Sequence, residues 1–261
     1  MSRIKEIFNK GKAFIPFITA GDPSLDKTVD YVLAMADAGA DLIEIGIPFS
    51  DPTAEGVVIQ EANIRALQAG FTMEKLFETV AKIREKSDIP LIFMTYINPV
   101  FHYGYDAFFQ KCQELSVDGF ISPDVPYEEK AEVSEVAKKY GVDVISMVSP
   151  TSDERIAKIA AEADGFIYVV SSMGVTGVRS QFRTDLNRIV DKIREVTDTP
   201  CAIGFGISTP EQAEKMAGIA DGAIVGSAIV KIVATHKDEA ARPLYAYVKE
   251  MKEAVEEADR G

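Results

Sequence analysis

Two carboxylates stand eleven positions apart in the stretch DLIEIGIPFSDPTAEGVVIQ, residues 41–60. Glu44 lies inside an apolar run, Leu42 to Gly46, and Glu55 follows the Pro-rich loop Pro48-Phe49-Ser50-Asp51-Pro52 and precedes Gly56. A carboxylate within an apolar strand is costly to bury, so it is paired, neutralised or used in chemistry. The bland alternative for Glu44 alone is a core hydrogen bond. The second acid, carried by a loop, favours chemistry, because two carboxylates in unlike surroundings suit acid and base roles whose pKa values are driven apart.

Glycines mark a second feature. The segments Ala202-Ile203-Gly204-Phe205-Gly206-Ile207-Ser208 and Ile224-Val225-Gly226-Ser227-Ala228 each end an apolar run in glycine. There, backbone N–H groups can approach an anion closely, and a helix starting at that point adds its positive end. The loop Gly174-Val175-Thr176-Gly177 could close over the same anion. These glycines could also be no more than tight turns, but three such loops together point to phosphate. Neither GxGxxG nor GxxxxGK[ST] occurs, which disfavours dinucleotide and ATP binding. Cys112 and Cys201 lack metal or CxxC spacing, and His102 and His236 have no partner at ligand spacing. A zinc site or a histidine triad is therefore not expected, and the thiols read as buried groups in a reducing compartment.

Elements that could position these residues follow one rhythm: a short apolar run, a small-residue turn, an amphipathic helix. After a leading helix at Arg3–Lys10, strands are expected at Phe14–Thr19, Leu42–Gly46, Leu91–Thr95, Gly119–Ser122, Asp143–Val148, Phe166–Ser171, Cys201–Phe205 and Gly222–Val225. Helices are expected between them, one capped by Ser24, one by Thr209-Pro210, others over Val57–Ala69, Thr72–Lys86 and Thr184–Val196, and a last one over Ala240–Ala258. Near-continuous apolar strands are those of a parallel sheet covered on both faces. Eight such units in 261 residues predict an α/β fold, a single (β/α)8 TIM barrel domain over residues 1–261 with an extra N-terminal helix. A doubly wound sheet shares the alternation and is the competing architecture. In a barrel, chemistry sits on the loops at the C-terminal ends of the strands, which puts Glu44, Glu55 and the glycine loops on one rim.

Apolar residues make up 47 % of the chain, enough for a full core, yet no apolar run is long enough to span a membrane. The N-terminus lacks the apolar core of a secretory signal, so a cytoplasmic protein is expected. The net charge of −13 argues against a nucleic-acid surface.

Nearly the whole chain resembles the α subunit of tryptophan synthase, through FIPFITAGDP, GADLIEIGIPFSDPTAEG, MTYINPVFHYG, VSSMGVTGVRS, GFGISTPEQ and GSAIVKI. The resemblance implies retro-aldol cleavage of indole-3-glycerol phosphate to indole and glyceraldehyde 3-phosphate without a cofactor. It gives Glu44 the place of the acid that protonates the indole ring carbon bearing the side chain and handles the proton of the adjacent hydroxyl. Glu55 takes the place of the loop acid that binds the indole N–H, a position where the family carries Asp, and Thr53 replaces an apolar residue nearby. Phe17 and Tyr168 match residues lining the indole pocket, although a strand tyrosine can equally be packing. Thr176 matches a threonine that bonds the loop acid on closure, and Gly177, Gly206, Gly226 and Ser227 match phosphate-contacting positions. A partner is also implied, the pyridoxal-phosphate β subunit in an α2β2 heterotetramer, with Asp51, Pro52 and the loop Asn98-Pro99-Val100-Phe101 as candidate contacts. Two other readings compete. One is a different phosphate-binding barrel, such as indole-3-glycerol-phosphate synthase or a sugar-phosphate isomerase; the synthase would want a strand Lys, which none of the expected strands has. The other is a non-catalytic subunit that activates a partner.

Overall fold

The way the apolar runs pair decides between a closed and an open sheet. The computed structural model describes residues 3–171, 179–204 and 206–259. Among these, nine parallel strands form one sheet: β1 Ala13–Thr19, β2 Ile43–Gly46, β3 Leu91–Met94, β4 Gly119–Ile121, β5 Asp143–Val144, β6 Ser146–Val148, β7 Ile167–Val170, β8 Cys201–Gly204 and β9 Gly222–Val225. Their spatial order is β5-β4-β3-β2-β1-β9-β8-β7-β6. The two edges, β5 and β6, are separated by Ile145 alone, whose N–H donates to the Phe120 carbonyl at 2.9 Å. They are two halves of the run expected at 143–148, so the ring closes through it and the fold is a (β/α)8 barrel.

Successive strand side chains point to opposite faces. One parity, including Ile15, Leu42, Ile92, Ile121, Phe166 and Ile224, fills the barrel interior. The other, including Phe14, Ile43, Phe93 and Phe120, packs outward against the helices. The helix Arg3–Phe8 sends Ile4 and Ile7 into the interior cluster. Ile4 reaches Gly119, the first residue of β4, and Arg3 grips Asp118 at 2.6 and 2.7 Å. The leading helix thus stops the N-terminal mouth and leaves the C-terminal mouth for a site.

Helix starts follow the sequence. Ser24 accepts from the Lys27 N–H to cap helix Leu25–Asp37, and Thr209 and Gln212 form a reciprocal capping box at helix Pro210–Ala217. Three helices depart from expectation. Residues expected as a loop at 98–101 lie in helix Ile97–Tyr103. Pro99 is tolerated there because first-turn N–H groups have no intrahelical acceptor. A helix also starts directly after β9, Ser227–His236, and another begins at Arg179, ahead of the expected Thr184. No helix among the described residues is long and apolar enough to cross a membrane.

One ion pair ties the first βα turn to the helix that follows the loop acid. Arg65, on helix Val57–Gln68, makes two 2.8 Å hydrogen bonds to the Asp22 carboxylate, which is 2 % exposed. Removing one partner of such a pair leaves an uncompensated buried charge. Arg65→Met should therefore destabilise the chain by about 2 kcal/mol, the low end because the arginine is itself partly exposed. Urea denaturation measures this, and an unchanged midpoint would show that Asp22 is satisfied by water.

Candidate active site

Strand parity delivers the key side chains. Glu44 follows Leu42 by two residues, Phe17 follows Ile15, and Tyr168 follows Phe166, so all three point inward above the apolar interior. Phe17 and Glu44 are register partners across β1 and β2. Two glycines make room for the aromatics: a Cβ on Gly46 would collide with the Phe17 ring, and one on Gly204 with the Tyr168 ring. The rings can therefore lie across neighbouring strands at the mouth.

Above them opens a cavity of about 330 Å³. Its apolar wall includes Phe17, Met94, Met147, Tyr168, Val170 and Ile224. Its polar groups come from Glu44, Glu55, Asn63 and Ser227, with Gly206 and Gly226 contributing backbone. Seven of the nine residues singled out from the sequence thus share one cavity: Phe17, Glu44, Glu55, Tyr168, Gly206, Gly226 and Ser227. Thr176 and Gly177 lie outside the described residues. No Lys or Arg lines the cavity among the described residues, so imine chemistry on a lysine has no support here.

The two carboxyls sit in opposite environments. Glu44 is 1 % exposed, and its Oε2 has no hydrogen-bond partner among the described residues. Burial raises its pKa to about 8, so it is protonated at neutral pH. The core hydrogen bond allowed for it from the sequence is therefore missing at Oε2. Nearby, burial and then the Glu44 charge hold the Tyr168 hydroxyl well above its ordinary pKa.

Glu55 is half-buried on its loop. Burial raises its pKa, and a hydrogen bond from Tyr96 works the other way. The Tyr96 hydroxyl donates to Glu55 Oε2 and accepts from the N–H groups of Thr53 at 2.9 Å and Ala54 at 2.7 Å. One phenol just beyond β3 thus pins three consecutive loop residues. Tyr96 was not among the residues singled out, and its only sequence signal is its place directly after a strand end. Asn63 was missed too: it is buried on helix Val57–Gln68 and lines the cavity one turn beyond Ile59, which lines it as well.

The glycine-bearing strand ends are not equivalent. Helix Pro210–Ala217 is closed by its own capping box, whereas helix Ser227–His236 starts at Gly226 with no side-chain cap. First-turn N–H groups without a side-chain partner are the natural seat of an anion. At this uncapped start, Gly226 and Ser227 line the cavity.

A buried carboxyl and a half-buried one sharing a cavity at the C-terminal mouth of a (β/α)8 barrel are the arrangement of a barrel enzyme. The sequence profile of the tryptophan synthase alpha chain family matches residues 4–256. The tryptophan synthase alpha chains of Lacticaseibacillus casei and Lactiplantibacillus plantarum are 50 % and 52 % identical, over 98 % of this chain and 96 % and 97 % of theirs. A crystal structure of tryptophan synthase subunit alpha from Legionella pneumophila superposes with a TM-score of 0.88 at 36 % identity, covering 98 % of this chain and 99 % of that one. A chain from the tryptophan synthase α2β2 complex of Pyrococcus furiosus gives 0.83 at 34 % identity, covering 93 % and 99 %. The chain belongs to the tryptophan synthase alpha chain family, lyases that cleave indole-3-glycerol phosphate to indole and glyceraldehyde 3-phosphate.

The raised pKa of Glu44 has a consequence for stability. Between its ordinary value of 4.5 and about 8, the unfolded chain has released the Glu44 proton while the folded chain retains it. The folded state then binds more protons, so this residue's contribution to stability falls as pH rises through that window. Glu44→Gln removes the dependence. The melting temperature of the variant relative to wild type should rise from pH 5 to pH 8 and level off above it. A difference that does not change with pH would mean that Glu44 is ionised in the folded protein.

Proposed function

We propose that Glu44 and Glu55 carry the cleavage of indole-3-glycerol phosphate in the cavity at the C-terminal mouth. The observation that carries the assignment is the buried Glu44 carboxyl beside Phe17 and Tyr168, its Oε2 without a hydrogen-bond partner among the described residues. The protonated carboxyl gives its proton to the ring carbon that bears the glycerol side chain, leaving positive charge on the ring nitrogen. The resulting carboxylate takes the proton of the hydroxyl on the adjacent carbon. As that C–O bond becomes a carbonyl, the carbon–carbon electrons return to the ring, and Glu44 is protonated again. Glu55 accepts from the indole N–H and stabilises the cationic ring. The phosphate rests on the uncapped start of helix Ser227–His236 with Gly206, Gly226 and Ser227, and this unreacting anchor supplies binding energy. Thr176 and Gly177 complete the reading by resemblance to the family.

No cofactor enters this scheme, and the chain acts as one barrel domain. We also place the protein in the cytoplasm, consistent with its two buried thiols. The partner is a tryptophan synthase β subunit, with the Pyrococcus furiosus assembly in support. Phe101 is 65 % exposed beside the mouth and suits such a contact. Val100, grouped with it from the sequence, is fully buried in the core and drops out.

Glu44→Gln keeps size but has no transferable proton, so steady-state cleavage should fall by more than ~10²-fold with circular dichroism unchanged. In the wild type, kcat should decline as pH rises past about 8, where Glu44 ionises and cannot give the first proton. Retention of most activity in the variant would remove Glu44 from the acid role.

Glu55 already reaches the Tyr96 hydroxyl while lining the cavity, so loop and side-chain length suit each other. Shortening it by one methylene in Glu55→Asp displaces the carboxylate by on the order of 1 Å, and misplacement of that size costs up to ~10²-fold. Turnover should therefore fall severalfold; a faster Glu55→Asp enzyme would show that the glutamate overshoots.

A further inference from the structure

A second cavity, of about 310 Å³, opens between β4, β5, β6 and the helices Lys130–Lys139 and Asp153–Ala161. It shares only Pro123, Met147 and Val170 with the active-site cavity. Its floor comes from the outward parity of the barrel: Phe120, Val133 and Val144 belong to the layer between sheet and helices, and Ile159 packs against that layer. The reaction described above uses none of these residues.

One charged group in this cavity makes no contact ion pair among the described residues. The Lys130 Nζ donates to Ser146 Oγ at 2.8 Å and weakly to the Glu162 carbonyl at 3.4 Å, and it forms no ion pair among the described residues. Ser146 is 5 % exposed, so the ammonium has been drawn inward to meet it. Burial lowers the lysine's pKa, while Asp164, Glu162 and Asp143 favour the charged form from a distance and Lys138 opposes it. The other cation of the cavity, Arg155, is occupied by a two-pronged contact with Glu128 at 2.8 and 3.1 Å. An ammonium has three donors, so Lys130 retains one, above an apolar floor.

The charge count selects the ligand. One ammonium without a contact ion pair matches one negative charge, and a phosphate dianion would meet stronger repulsion from Asp164, Glu162 and Asp143. We propose that this cavity binds a small monocarboxylate with an apolar body, its carboxylate paired with the Lys130 ammonium and its body resting on Phe120, Val133 and Ile159. A charge-assisted hydrogen bond supplies the anchor, and burial of the body supplies the rest. The occupant touches Met147 and Val170 from behind, on the wall of the active site.

The test uses the full chain with 13C-methyl methionine, titrated with benzoate. Met147 lines both cavities and Met94 only the active-site one. Benzoate should shift the Met147 methyl saturably in the millimolar range and leave Met94 unmoved, whereas indole should move Met94. Lys130→Gln, which can still bond Ser146, should weaken benzoate binding by about tenfold without changing cleavage in its absence. Neutral benzamide should bind wild type as poorly as benzoate binds that variant. Glu44→Gln should bind benzoate like wild type, so failure of the acid assignment and failure of this site are read separately. The proposal is overturned by the absence of a saturable Met147 shift, by movement of Met94 with benzoate, or by equal benzoate affinity in Lys130→Gln.

Discussion

The site depends on a carboxyl group that the barrel encloses, one of whose oxygens finds no hydrogen-bond partner among the described residues. Moving a carboxylate from water into hydrocarbon is so unfavourable that the group keeps its proton instead. Glu44 is enclosed by strands on both sides and by the apolar interior below. Its burial both costs folding free energy and produces an acid available at neutral pH. A hydrogen-bond partner at Oε2 would relieve the first effect and weaken the second.

The rest of the architecture reads as support for that enclosure. The leading helix fills the N-terminal mouth with Ile4 and Ile7, so the interior beneath Glu44 stays apolar. Gly46 and Gly204 let two aromatic rings lie across the strands beside it. The wetter acid is placed by a separate device: Tyr96 holds Thr53, Ala54 and Glu55 together from the end of β3. The Asp22–Arg65 pair anchors the helix that follows. One carboxyl is thereby kept dry by the strands and the other is kept in position by a loop, the division that acid–base chemistry with two carboxylates requires.

The two glycine-bearing strand ends illustrate how similar sequence signals acquire different meanings. Both Gly206 and Gly226 follow strands and precede helices. At the first, Thr209 and Gln212 consume the helix N-terminus themselves. At the second, no side chain does so, and Gly226 and Ser227 at that helix start line the cavity.

Much of this was decided by local sequence. A parallel, twice-covered sheet is written in runs such as Leu42–Gly46, the inward aim of Glu44 follows from a period of two, and caps at Ser24 and Thr209 are set within four residues. The family resemblance then suggested roles for these residues. What the sequence left open was set by groups far apart in the chain. Closure of the ring depended on Ile145 bridging the two sheet edges, since alternation alone is common to barrels and open sheets. Tyr96 meets Glu55 across 41 residues, and the helix at Ile97–Tyr103 buries Val100 where a rim loop was expected. Whether Glu44 would find a partner could not be read from its neighbours in sequence, because desolvation is a property of everything that surrounds a group. Periodicity aims a side chain, and only the packed chain determines what it meets.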